Sequence, residues 1–141
     1  MNIHVYILKL KSGRLYVGQS TDPRRRFFEH QSGTGANICK HDRPMEIIFS
    51  QDLGTEDQKI ALYFEDWVTI CMKRKFQSSQ VTGGAYCNEQ YLWVNNEWLM
   101  AEIYRLNEWF SRLSNSRPGV DINEAIISFI NWSDPIGTKL K

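Results

Sequence analysis

Two β-rich runs, residues 4–10 and 15–18, flank Lys11-Ser12-Gly13-Arg14, so the chain opens on a hairpin with Gly13 where the turn wants positive φ. Each strand carries a tyrosine-centred triplet, Val5-Tyr6-Ile7 on the first and Tyr16-Val17-Gly18 on the second. Thr21-Asp22-Pro23 then reads as a helix start, with Asp22 able to cap free amides and Pro23 preset for the first turn. The spacing predicts a helix over 23–31, carrying Arg24, Arg25, Arg26 and His30.

Ser32-Gly33-Thr34-Gly35-Ala36-Asn37 is costly to hold in a helix and reads as a connector, followed by a third strand over 45–50. With Lys40-His41 after it, the connector suits either a phosphate backbone or plain solvent. From Thr55 the pattern turns helical: Ile60, Phe64, Trp67 or Val68, and Cys71 recur every three or four residues, and Lys73-Arg74-Lys75 puts cations at the closing end. Glu65 interrupts this apolar neighbourhood. Beyond Phe76 a polar, glycine-containing stretch marks the edge of the core. Leu99, Ile103, Leu106, Phe110 and Leu113 trace one stripe of a long helix beginning near Gln90. Arg117-Pro118-Gly119 breaks that helix, and Asp121-Ile122-Asn123-Glu124 opens a second, with Ala125, Ile126, Phe129 and Ile130 on its apolar side. The expected organisation is a core over 1–90 and a helical extension over 91–141 that packs on the core, on a twin subunit or on a protein partner.

With 17 Lys/Arg against 16 Asp/Glu, net charge says little, but residues 1–43 hold eight basic against three acidic side chains. That asymmetry fits an anion-facing surface at the amino end, or a solvated basic loop. Cys39, Cys71 and Cys87 form no zinc-like spacing and read as reduced thiols, and neither a secretory leader nor a membrane span is visible, which points to the cytoplasm.

The chemically active side chains suit phosphodiester hydrolysis, which needs an activated water, charge relief on the phosphate and support for the leaving oxygen. Arg26 can bridge two phosphate oxygens, and His30, four residues on, shares its helix face. Arg24 and Arg25 suit flanking phosphates. Glu65 is a hard oxygen donor able to hold one Mg²⁺, and a phenol near positive charge, Tyr6 or Tyr16, can accept a proton. Singly, each has a bland reading: packing for the tyrosines, a surface cation for Arg26, a dipole-facing imidazole for His30.

As an ordered set, they resemble the GIY-YIG nuclease superfamily. Val5-Tyr6-Ile7 stands where the family has GIY, and Tyr16-Val17-Gly18 stands for YIG. The passage from Gly18 to Arg26 and His30 is similar to the family's strand-to-helix segment. Ala61-Leu62-Tyr63-Phe64-Glu65 resembles its metal-binding helix, and Gly33-Thr34-Gly35-Ala36 is similar to the turn of its small stand-alone and resolvase-like branch. His4-Val5 departs from the family's Gly-Ile opening. The resemblance implies an α/β fold, a small three-stranded mixed or antiparallel sheet flanked by helices, here with an α-helical C-terminal extension. It implies a Mg²⁺- or Mn²⁺-dependent endonuclease acting on DNA and leaving a 5′-phosphate and 3′-hydroxyl. Tyr6, Tyr16, Arg26, His30 and Glu65 are the expected catalytic residues, Glu65 the metal ligand. Gly18, Arg24, Arg25, Lys40, His41 and Asn88 are expected to contact substrate. Two other classes fit the same residues: a non-catalytic nucleic-acid-binding module, and a nuclease core delivered to its target by a partner docked on the helical tail.

Overall fold

The computed structural model describes residues 1–116 and 122–139. Strand β1 (His4–Leu10) turns through Gly13 (φ 92°) into β2 (Leu15–Ser20), antiparallel, with Tyr6 opposite Gly18. Helix α1 (Pro23–Gln31) starts as the sequence dictates: Asp22 accepts a hydrogen bond from the Arg25 amide (3.2 Å), and Pro23 occupies the first turn. The connector is not wholly irregular, because Asn37–His41 form a short helix, α2, whose Cys39 is buried under the sheet. Strand β3 (Pro44–Asp52) pairs antiparallel with the other edge of β1. Asp57 caps α3 (Gln58–Lys75).

The sheet has four strands rather than three, in the order β3-β1-β2-β4. Strand β4 is only Val81–Gly83 and runs parallel to β2. Three 3₁₀ turns, Ser78–Gln80, Gly84–Tyr86 and Glu89–Tyr91, surround it. Helix α4 (Asn96–Ser116) begins later than the apolar pattern suggests, because Asn95 accepts from the Trp98 amide (2.8 Å) and sets the start there. Helix α5 spans Asn123–Lys139. The break expected at Arg117-Pro118-Gly119 and the cap at Asp121 lie outside the described residues.

Strand β1 is central and covered on both faces. Val5 and Ile7 point into the large core with Val17 and with Phe64, Val68 and Met72 of α3. Tyr6, Leu8 and Leu10 point the other way, towards Tyr16, Phe27 of α1, and Cys39. The apolar stripe of α4 faces inward, and Leu106, Phe110 and Leu113 join the same core as Ala125 and Phe129 of α5. With roughly 2 kcal/mol from each buried large apolar side chain, the two helices are fastened to the sheet layer. Ile130, read as part of the α5 stripe, is exposed; Trp132 packs against the core instead. Among the described residues, no helix is long and apolar enough to cross a membrane.

Candidate active site

Tyr6 is 1% exposed, and its hydroxyl meets His30 Nε2 at 3.0 Å. On the other side of the imidazole, the Ala36 amide donates to Nδ1 (3.0 Å). Since Nδ1 accepts, the ring proton belongs on Nε2, which donates to the Tyr6 oxygen. Burial, with Arg26 adding, pulls the His30 pKa down to about 4, so the imidazole is neutral near pH 7. The glycine-rich connector serves this contact: a Cβ at Gly35 would lie 2.1 Å from His30 Nδ1.

Tyr16 stacks edge-on to the same imidazole, ring centroids 5.3 Å apart. Burial lifts both phenols well above the ordinary tyrosine range. Arg26 opposes that rise at Tyr6, through its charge and a hydrogen bond, while Glu65 adds to it at both rings. The Arg26 guanidinium is steadied from within α1 by Glu29 (2.5 Å), which also pairs with Arg25 (3.6 Å). Glu29 was legible only as an i,i+3 partner and was not singled out by sequence reasoning.

Gly18 forms the floor beneath Tyr6. A Cβ there would sit 2.5 Å from the phenol oxygen and 2.6 Å from Cζ. Gly18→Ala is therefore expected to push the ring off its seat, at a cost of about 1–3 kcal/mol of stability. A thermal melt indistinguishable from that of the parent would show that the ring is not seated on Gly18.

Glu65 comes from the opposite layer, since α3 packs on the Val5/Ile7 face while His30 lies on the Tyr6 face. Its carboxylate nonetheless acts electrostatically on both phenols, alongside Arg26 at Tyr6. Oε1 accepts from the Gly84 amide (3.1 Å), just past the end of β4, and the Gln19 side chain also hydrogen-bonds the group. Burial outweighs both contacts and raises the Glu65 pKa to about 7. The residues fit a divalent ion held by one protein carboxylate: Glu65 is a hard oxygen donor, and among the described residues no cation pairs with its buried charge. Among the described residues no three His, Cys, Asp or Glu side chains are placed to hold a metal ion together, so the other ligands of an ion at Glu65 would be water and substrate, as magnesium tolerates.

Arg24 and Arg25 are exposed on α1. Lys40, His41 and Asn88 are also exposed, and among the described residues no hydrogen bond or ion pair joins their side chains to the five central groups. His41 instead lines an open cleft with Lys11, Arg14 and Asp42. Sequence reasoning missed Gln19, Gly84 and the neighbouring Asp66, because the contacts that matter run between segments far apart in the chain.

The GIY-YIG catalytic-domain model matches residues 2–76. A UPF0213 protein of Halalkalibacterium halodurans is 31% identical over 88 residues, 62% of this chain and 93% of that protein. UPF0213 protein YhbQ of Escherichia coli is 30% identical over 82 residues, covering 58% of this chain and 80% of the relative. A UPF0213 protein of Photorhabdus laumondii is 36% identical over 61 residues, covering 43% of this chain and 59% of the relative. For some relatives the matched stretch is therefore little more than half their length. No solved structure matches the chain.

Proposed function

The chain belongs to the GIY-YIG catalytic-domain family, and from that premise we propose that it is a divalent-metal-dependent endonuclease that hydrolyses DNA phosphodiester bonds, one strand per site. The observation that carries the reading is the Tyr6 hydroxyl, held between the His30 Nε2–H and Arg26. An oxygen that accepts from an imidazole N–H and lies beside a guanidinium is favoured as the phenolate, against the burial that opposes it, and once the hydroxyl has given its own proton to solvent that phenolate can take one from an attacking water. Of the two phenols, Tyr6 is the better candidate for that role. Neutral His30 orients it.

Arg26, restrained by Glu29, offers its remaining N–H donors to the scissile phosphate, where negative charge accumulates. Glu65 would hold Mg²⁺ or Mn²⁺, which supplies Lewis-acid stabilisation of the phosphate and leaving oxygen. Arg24 and Arg25, exposed along α1, suit flanking phosphates. We assign this catalytic unit to residues 1–90 and a helical extension to 91–141. The unpaired thiols Cys39, Cys71 and Cys87 suit a reducing cytoplasm.

The test is a cleavage panel on single-stranded, duplex, flap and branched DNA with Mg²⁺, Mn²⁺ or chelator. Metal-dependent nicking of at least one substrate is expected. Mobility shifts without cleavage on any of them would instead favour the non-catalytic binding module. In the same assay, Tyr6→Phe is expected to lower kcat by about 10²–10⁴. A fall of that size in Tyr16→Phe alone would move the proton acceptor to the second strand.

A further inference from the structure

The family match ends at residue 76, yet the amide that holds the Glu65 carboxylate comes later. Glu65 Oε1 accepts from Gly84 N–H at 3.1 Å, and the next side chain, Asp66, accepts from Ala85 N–H at 2.9 Å. Two successive carboxylates of α3 thus pin two successive amides of one turn. The fit is close: Gly84 has φ +51°, and a Cβ on it would lie 2.1 Å from Asp66 Oδ1. The third residue of the turn, Tyr86, is buried and donates its hydroxyl to Glu102 Oε2 of α4 (2.8 Å). Arg105 holds the same Glu102 oxygen (2.9 Å), and the Tyr86 ring packs edge-on against Trp98 and Tyr91. The turn is therefore gripped by α3 on one side and α4 on the other.

We propose that Asp66 is a positioning residue for Glu65, and that the Gly84–Tyr86 turn couples helix α4 of the extension to the catalytic unit. The proposal rests on the reading of Glu65 as metal ligand. A ligating carboxylate must present one orientation to the cation, and the partner that fixes it is a backbone amide with little freedom of its own. Asp66 fixes the following amide, so the plane of the Gly84 peptide cannot turn away. What Asp66 contributes is an acceptor oxygen in the right place. Asparagine supplies that oxygen, and alanine does not.

Mn²⁺ binding to the full chain, followed by electron paramagnetic resonance without DNA, reads this directly, and amide exchange at Gly84 and Ala85 reads the turn. Asp66→Ala is expected to weaken Mn²⁺ binding about tenfold and to expose both amides. Asp66→Asn is expected to restore both. In cleavage assays, Asp66→Ala should need more metal yet regain most of kcat at saturation. Tyr86→Phe should move in the same direction by less. Parent-like Mn²⁺ affinity in Asp66→Ala, alongside loss of binding in Glu65→Ala, overturns this proposal alone. So does an Asp66→Asn protein as defective as Asp66→Ala, which would make the charge of Asp66 the important property. Parent-like binding in Glu65→Ala overturns the reading of Glu65, and this proposal with it.

Discussion

Glu65→Gln is expected to cleave DNA roughly 10³-fold more slowly than the parent while melting at a higher temperature above pH 7. The two effects share a cause. Burial raises the Glu65 pKa from 4.5 to about 7, so the folded protein holds this proton more tightly than the unfolded chain does. Its contribution is therefore most favourable below about pH 4.5, declines as pH rises, and is fully unfavourable above pH 7. The penalty at high pH is about 3 kcal/mol, from the shift and 1.36 kcal/mol per pKa unit. Glutamine keeps an oxygen for the Gly84 amide and never ionises, so it escapes that penalty. Melting curves of the two proteins without metal should converge below about pH 4.5 and separate towards pH 8, with the variant ahead. Equal melting temperatures at pH 8, or undiminished nicking by the variant, would contradict the assignment. Among the described residues no cation compensates this buried carboxylate, which is how a cation site that is filled only during work is expected to look.

Lys73→Met is expected to cost about 3 kcal/mol of stability and to detach the segment around β4. Lys73 is 1% exposed, and its ammonium donates to three backbone carbonyls: Ser78 (2.7 Å), Val81 (2.5 Å) and Tyr91 (3.1 Å). Burial pulls its pKa down to about 8. Its three protons meet three acceptors, so the cation acts as a staple between the end of α3 and a stretch with little regular structure. Methionine preserves the stem and strands the carbonyls. Denaturant unfolding should show the loss, and amide exchange should show it concentrated at residues 78–91. A loss under about 1 kcal/mol would mean that water replaces the ammonium easily.

Lys73 also marks where sequence reading stops. As one of Lys73-Arg74-Lys75 it looks like an ordinary cation near a helix carboxyl end, and nothing local distinguishes it from its exposed neighbour Arg74. It turns inward because carbonyls up to 18 residues later converge on it. Strand β4 was hidden for a similar reason. Val81-Thr82-Gly83 has too few residues to alternate, and its identity as a strand comes from pairing with Leu15, Tyr16 and Val17. By contrast, the hairpin, the Asp22-Pro23 start of α1 and the apolar face of α3 depend on neighbours in the chain, and their periodicity was sufficient. The central site divides in the same way. Tyr6 and Tyr16 are set by the hairpin, but the tautomer of His30 depends on an amide six residues on, and the orientation of Glu65 on one nineteen residues on.

With strand β1 sandwiched between two layers, the phenol that would do the chemistry is an interior side chain. Tyrosine-modifying reagents should accordingly label Tyr104, which is 66% exposed, well before Tyr6. Engineered changes of target preference are then best sought along α1 and the outer helices. A larger or smaller ring at position 6 would disturb the architecture before it could retune selectivity.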